Sequence, residues 1–332
     1  MKLGDYKSIC SNAVLNICPL IDSQFGLFTL CSSRGIKIGN AYLFEIASLF
    51  VYITSIVMTM IILYSIKYKI AAVNGKKIIN LFFYLYLAYN VVELFTITNI
   101  IPMGTYSYTF FVGIHFAISI TIPWSLLLFS ISSYYDYFPI LLRYKKSQLD
   151  DQESISIMNW STRLSSLGVF LSGLIIALTT FNSKAGLERE NPVVMYVFQY
   201  IISPVLLALF LVIRIVYLWY HIDSYWPIGD LVISLIFFLS SQMSLYLFNN
   251  SICANSKHYL DGAFFYSLLL LLSVMMFYKS WDSSNKDDLE FVIGENQTQL
   301  TKTSIHSYSS QQNPFVTLFD EEVVDLENEN KD

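Results

Sequence analysis

The sequence predicts an all-α, polytopic membrane protein with about seven transmembrane helices. Three observations carry this prediction: 55% of the 332 residues are hydrophobic, only 14% are charged, and the mean hydropathy is +0.51. A soluble domain usually carries about 25% charged residues. An apolar window of about 19 residues finds seven candidate spans along the chain. They cover roughly residues 41–66, 78–101, 110–131, 164–181, 193–218, 230–248 and 260–278.

The spans differ in how strongly the residues support them. The seventh, Leu260–Tyr278, is apolar around its whole circumference, which indicates lipid or a deep core on every side. At 1.5 Å per residue it is long enough to cross a bilayer. Pro123 in the third span and Pro204 in the fifth predict kinks, because proline removes one backbone bond. The fourth span is the weakest, being short and holding small residues that suit helix–helix contact: Ser165, Ser166, Ser172 and Gly173.

Lysine and arginine are distributed unevenly between the loops. They are plentiful after the first and third spans and scarcer after the second, fourth and sixth. The positive-inside rule therefore places the N-terminus in the lumen and the C-terminus in the cytosol. We expect a lumenal N-terminal segment at 1–40, a seven-helix transmembrane domain at 41–279, and a cytosolic, acidic, disordered tail at 280–332.

All four cysteines fall on the predicted lumenal side. Cys10, Cys18 and Cys31 precede the first span, and Cys253 lies in the last lumenal loop. An even number of cysteines on an oxidising side predicts two disulfides, for which three pairings are possible. The favoured pairing joins Cys10 to Cys18 locally and Cys31 to Cys253. Closing the long loop would restrict the unfolded chain by about 4–5 kcal/mol in the entropy model.

Ionisable residues inside a span are costly, and Glu93 is the clearest case. It lies in the second span, and His115 lies in the third at a depth within about 5 Å, counted at 1.5 Å per residue. A Glu93–His115 hydrogen bond would join the two helices, and this structural role is favoured over a proton or ligand site. Glu45, His258 and Asp261 are expected at the lumenal interface, where carboxylates are cheap, with Asp261 complementing a helix dipole.

The sequence offers no pattern for catalysis or for a bound cofactor. It lacks a zinc-type Cys-x-x-Cys or Cys-x-x-His spacing, a His-Glu-x-x-His motif and a Gly-rich phosphate loop. We therefore expect no catalytic residues, no metal and no cofactor. The net charge of -5 comes largely from the C-terminal tail, so a nucleic-acid partner is not expected either.

Four stretches resemble the fungal chitin synthase export chaperones. They are GDYKSICSNAVLNICPLI (4–21), CSSRGIKIGNAYLFEIAS (31–48), IIPMGTYSYTFFVGIHFAISITIPWSLLL (100–128) and HYLDGAFFYSLLLLLSVMMFYKSWDSSNKDDLEF (258–291). The most specific pieces are the HYLDG, YKSWD and DDLEF runs. The middle, 132–162, and the tail after 292 show no such resemblance.

The resemblance implies a non-enzymatic chaperone of the endoplasmic reticulum membrane. Its client would be a chitin synthase, which it would bind within the lipid bilayer and whose folding and export it would promote in support of cell-wall chitin synthesis. The COPII coat is the further implied partner, and no small-molecule substrate is expected. The HYLDG run marks the lumenal end of the seventh helix with His258, Tyr259, Asp261 and Gly262.

Two sets of residues are candidate export signals on the cytosolic side. Asp287, Asp288 and Glu290 follow the last span and include an Asp-x-Glu triplet, a type that serves as a COPII cargo signal in membrane proteins. Asn313, Pro314 and Phe315 form an Asn-Pro-Phe turn of the kind that coats and adaptors bind. Both are short motifs, and a plain solvated acidic tail is the alternative reading.

Two other classes of membrane protein share features with this chain. A heptahelical receptor would have the same span number, but the expected Asp-Arg-Tyr after the third span is replaced by Ser133-Tyr134-Tyr135-Asp136. A small-solute transporter would often show internal repeats and a polar site at mid-membrane. The sequence has no convincing repeat and few charges at that depth.

Overall fold

The computed structural model describes residues 6–21, 26–27, 29–31, 33–38, 41–43, 45–68, 75–97, 101–135, 148–183, 186–187, 189–221 and 224–285. One compact unit is Met1–Asp282, and a second is Ser283–Asp332. Within these described ranges, seven helices are long and apolar enough to cross a membrane, which confirms the predicted fold class.

The first part of the chain forms short elements. Helix α1 is Lys7–Asn12 and is followed by a single 3-10 turn at Cys18–Leu20. Strands β1, Ile36–Ile38, and β2, Ala41–Leu43, pair antiparallel with Ile36 opposite Leu43. The first span was predicted to start at residue 41, but its helix begins only at Ile46. A hydropathy window cannot distinguish an apolar strand from an apolar helix.

The remaining elements are the membrane-spanning helices, one of which begins with the short helix α6, and the short helix α9. In order they are α2 Ile46–Tyr68, α3 Lys76–Ile97, α4 Tyr106–Tyr135, α5 Gln148–Phe181, α6 Val193–Val197, α7 Ser203–His221, α8 Trp226–Tyr246, α9 Asn249–Asn255 and α10 Gly262–Asn285. A π-helical turn, Phe198–Ile202, joins α6 to α7 and makes them one span. It directly precedes Pro204, so the backbone ladder changes register where proline removes a bond.

Helix α4 is at the centre of the bundle. It packs against α3, α5 and α7, and 61% of its most apolar window is buried. The corresponding share is 28% for α5 and 22% for the span formed by α6 and α7. These two spans therefore turn most of their apolar surface outward, as expected of helices that face lipid.

Residues 6–21, the described first half of the N-terminal segment, pack onto the bundle. Cys10 and Ala13 are fully buried, and Tyr6 packs its ring against Tyr196 and Tyr200 of the fifth span. The apolar runs of this segment are too short to cross a membrane, but they are long enough to cover the ends of several helices.

Gly262, the first residue of α10, lies where the chain leaves no room for a side chain. A Cβ atom there would approach the Ser244 carbonyl oxygen to 2.5 Å and the Asn249 Cβ to 2.8 Å. Gly168 in α5 is the opposite case, because a Cβ atom there would meet nothing within 4 Å.

We therefore expect Gly262→Ala to destabilise the protein and Gly168→Ala to leave it as stable or more so. Overpacking against backbone costs about 1–3 kcal/mol, whereas alanine in an open helical position favours the helix by about 1 kcal/mol. Thermal unfolding of the purified protein in detergent measures both effects. Equal unfolding temperatures for the two variants would contradict the close approach of α10 to α8 and α9.

Candidate functional site

A polar cluster forms around Glu93 in the otherwise apolar bundle. The Asn16 side-chain amide donates a hydrogen bond of 2.6 Å to Glu93 Oε2. His115 Nε2 of α4 lies 2.5 Å from the same oxygen. His115 Nε2 makes no hydrogen bond in the structure, so this second contact is a close approach of the imidazole to the carboxylate. The depth argument from sequence predicted a Glu93–His115 hydrogen bond; the structure brings the two side chains into contact without that bond and adds Asn16, which the sequence did not indicate.

Tyrosines surround this cluster and extend it to one further element. The Tyr108 hydroxyl donates a hydrogen bond of 3.0 Å to the Asn16 carbonyl oxygen. The Tyr89 ring lies against the His115 ring with centroids 4.6 Å apart. The Tyr89 hydroxyl in turn lies 3.1 Å from the Tyr266 hydroxyl of α10. The N-terminal segment, α3, α4 and α10 therefore meet through one set of polar contacts.

The chemistry of this cluster suits attachment between elements. It offers one carboxylate, one amide donor and one imidazole, and Glu93 is 6% exposed. Interhelical hydrogen bonds in membranes contribute about 0.6 kcal/mol on average and up to about 1.7 kcal/mol each. A relay of protons would need a series of such groups leading to water.

The cysteines form two disulfides, Cys10 with Cys18 and Cys31 with Cys253. The first closes a loop within the N-terminal segment. The second joins residues 222 positions apart and ties that part of the chain to α9, with 6.1 Å between the two Cα atoms. The described residues contain no free cysteine.

Asn249 links the N-terminal segment to the start of the last helix. Its side-chain nitrogen donates to the Asn12 carbonyl oxygen at 2.8 Å, and its side-chain oxygen accepts from the Gly262 backbone N–H at 2.7 Å. Asp261 Oδ1 accepts the Phe264 N–H at 3.1 Å and so caps α10, as expected for a carboxylate in a first turn. Sequence reasoning missed Asn249, whose importance depends on contacts with residues far away in the chain.

Glu45 and Asp261, which were expected at the lumenal interface, are both buried within the protein. Glu45 precedes α2 in a left-handed conformation with a φ of 52°. Burial, and then the neighbouring Asp261 carboxylate, raise the pKa of the Glu45 carboxyl well above its usual range. The neutral, protonated form is thereby favoured, which allows Glu45 to be buried without a counter-ion.

Two other residues of the HYLDG run lie at the surface, whereas Gly262 is buried. His258 and Tyr259 are exposed, and the Arg34 guanidinium lies 5.5 Å from the centroid of the Tyr259 ring. His258 Nδ1 lies 3.3 Å from Cys31 Sγ and 3.4 Å from Cys253 Sγ. These three side chains are the one group of possible metal ligands within the described part of the chain. The two sulfurs are bonded to each other and so offer no thiolate to a metal.

An ion pair that sequence reasoning did not identify lies near the other end of the bundle. Lys279 Nζ of α10 is 2.9 Å from Asp230 Oδ1 of α8, whose side chain is buried. Asp230 was read as the boundary of the sixth span, whereas α8 begins at Trp226 and carries it inside the helix. A buried acid with one basic neighbour on the adjacent helix is the signal that could have identified it.

The candidate export signals cannot be placed by the structure. Asp287, Asp288 and Glu290, and also Asn313, Pro314 and Phe315, lie outside the described residues.

Comparison with known proteins gives a consistent result. The family model described as chitin synthase export chaperone matches residues 2–295. The chain belongs to the chitin synthase export chaperone family. The match includes the stretch 132–162, in which the sequence had shown no resemblance. The family is named for export of a client and not for an enzymatic reaction, and the receptor and transporter readings gain no support.

Individual members of the family align with this chain over most of the length of both proteins. The chain is 33% identical to a chitin synthase export chaperone of Aspergillus oryzae over 89% of its own residues and 86% of the relative's. It is 32% identical to one from Phaeosphaeria nodorum over 90% and 86%, and 31% identical to one from Fusarium oxysporum f. sp. lycopersici over 96% and 92%. No solved structure matches the chain.

Substitutions at Glu93 distinguish a structural role, in which its side chain attaches neighbouring elements to one another, from a role that requires its negative charge. Glu93→Gln should retain nearly full stability, because an amide oxygen still accepts the Asn16 hydrogen bond. Glu93→Leu should lower stability by about 1–3 kcal/mol, since it leaves the buried Asn16 amide without its acceptor. Combining Glu93→Leu with Asn16→Leu should recover part of that loss, which a double-mutant cycle of unfolding free energies measures.

A loss for Glu93→Gln as large as that for Glu93→Leu would assign the effect to the charge and contradict the attachment role.

Proposed function

We propose that this chain is a non-enzymatic chaperone that binds a chitin synthase in the endoplasmic reticulum membrane and promotes its folding and its COPII-dependent export. The observation that carries the proposal is the match to export chaperones over about nine-tenths of the chain. Cell-wall chitin synthesis would depend on this protein through the supply of its client.

The proposed orientation has the N-terminal segment in the lumen and the tail in the cytosol. Lysine and arginine are enriched in the loops on the side of the membrane opposite the N-terminal segment, which is the cytosolic side by the positive-inside rule. Both disulfides belong to the N-terminal segment and the α9 region, and disulfides persist in oxidising compartments such as the lumen. The two arguments are independent and agree.

The client would be bound through helix-to-helix contact in the bilayer. Helix α5 supports this proposal because it presents an outward stripe of large apolar side chains along one side. The stripe consists of Trp160, Leu164, Leu167, Leu171 and Ile175, which are 46–71% exposed. Gly168 lies beside it with open space above its backbone, which permits close approach of another helix.

The export signal is proposed to be the acidic run after the last helix. Replacing Asp288 and Glu290 with alanine should leave folding and client binding intact, because a solvated acidic strand supports no packed core. Export of the protein and its client should slow. Removal of the residues after 300 should have a smaller effect, since that tail shows no resemblance to the family. Co-purification of the client, the location of both tagged proteins, and wall chitin are the measurements.

Normal export by the double alanine variant together with a block on truncation would move the signal to the Asn313–Phe315 region. Loss of client binding in the double alanine variant would instead place the acids in the client interface. Failure of the intact protein to co-purify any chitin synthase would refute the proposed function itself.

A further inference from the structure

The imidazole of His258 contacts both sulfur atoms of the Cys31–Cys253 disulfide. His258 Nδ1 lies 3.3 Å from Cys31 Sγ and 3.4 Å from Cys253 Sγ, so it is within reach of whichever sulfur becomes a thiolate. An imidazole next to a cysteine stabilises the thiolate form and lowers the thiol pKa. The Cys10–Cys18 disulfide, with both cysteines buried, is a natural comparison within the same molecule.

The backbone holds the imidazole in this position. Lys257 and His258 both adopt left-handed conformations, with φ values of 54° and 66°. Such conformations are unfavourable at non-glycine residues and persist only where the surroundings impose them. Here the His258 N–H donates to the Cys253 carbonyl at 3.0 Å, and the His258 carbonyl accepts from the Arg34 N–H at 2.9 Å. The turn is therefore fixed to both halves of the disulfide-linked region.

The two sulfurs differ in their surroundings. Cys253 is fully buried, whereas Cys31 is half-buried and follows Leu30, which is 79% exposed. An incoming thiolate attacks one sulfur of a disulfide and expels the other. Attack on Cys31 would expel Cys253 as a buried thiolate, and a buried anion needs a partner. His258 is in position to be that partner.

We propose that Cys31–Cys253 is a thiol–disulfide exchange site in which His258 assists the departure of the Cys253 sulfur. The co-reactant is a dithiol of the Cys-x-x-Cys type. Its first thiolate attacks Cys31 Sγ, forms a mixed disulfide and releases the Cys253 thiolate, which His258 stabilises and can protonate through Nδ1. Its second thiolate then attacks its own sulfur in the mixed disulfide and releases Cys31. The dithiol is oxidised to a disulfide, and this chain gains two thiols.

Exchange at this site would control one of the attachments of the N-terminal segment. Opening Cys31–Cys253 removes the covalent link between the residues around Cys31 and α9, while Cys10–Cys18 still closes its own loop. The reverse reaction with an oxidised dithiol restores the link. The site thus provides a reversible covalent connection at the start of the last helix.

The test uses the full-length protein in detergent, with dithiothreitol as the dithiol and a metal chelator present. Samples are alkylated at intervals, and mass spectrometry follows each disulfide separately. Cys31–Cys253 should open at least about tenfold faster than Cys10–Cys18, because stabilising the leaving thiolate speeds exchange. His258→Asn should slow opening of Cys31–Cys253 about tenfold without changing Cys10–Cys18. Asparagine tolerates the left-handed conformation, so the turn is retained.

Lys257→Asn is the matched control, since it changes the neighbouring left-handed residue but keeps the imidazole. In this variant the Cys31–Cys253 disulfide should open at the wild-type rate. In glutathione redox buffers, His258→Asn should shift the equilibrium about tenfold towards the disulfide, which is about 30 mV for this two-electron couple. Equal opening rates for His258→Asn and the wild type would overturn the proposal, as would equal slowing of both disulfides.

His258→Gly separates chemistry from structure. Glycine accepts the left-handed conformation and leaves space where the ring was. Imidazole added to the buffer should restore part of the rate at Cys31–Cys253 and leave Cys10–Cys18 unchanged. A slow variant that imidazole does not accelerate would assign His258 a structural role only and refute its part in the exchange.

Discussion

The buried carboxylate of Glu93 is the constraint on which much of this structure depends. A polar group inside an apolar bundle must find its partners within the protein, because no water or loop is available in the hydrocarbon region. Glu93 finds one partner on the adjacent helix and one, Asn16, outside the membrane helices. Satisfying this one side chain therefore brings the N-terminal segment down onto the bundle. The Tyr108 hydroxyl reinforces the arrangement by binding the Asn16 carbonyl.

A second group of contacts holds the same segment from the other end of the chain. Asn249 bonds to Asn12 and to the start of α10, and the Cys31–Cys253 disulfide joins the adjacent stretch to α9. The N-terminal part of the chain is thus attached directly to the second and third spans and to α9, and through Asn249 of α9 to the start of the last span. The outward sides of α5 and of the fifth span are apolar, as expected of helices that face lipid.

The sequence predicted those features that depend on local pattern. Seven spans followed from hydropathy, and the approach of Glu93 to His115 followed from helix rise. Packing of the N-terminal segment did not, because its apolar runs are short and its anchoring contacts, Asn16 with Glu93 and Asn12 with Asn249, join residues distant in sequence. Burial of Glu45 was not foreseen at the lumenal interface, because sequence does not reveal what covers a helix end. Asp230 was missed because its partner, Lys279, lies 49 residues away.

The central claim is that the N-terminal segment is an integral part of the folded bundle. Hydrogen–deuterium exchange on the intact protein in detergent tests it most directly, because Cys10, Ala13 and Leu20 donate their backbone N–H groups to carbonyls within this segment. The structure predicts that these amides exchange at least about a hundredfold more slowly than in an unstructured peptide of the same sequence. Exchange at the rate of the free peptide would contradict the claim.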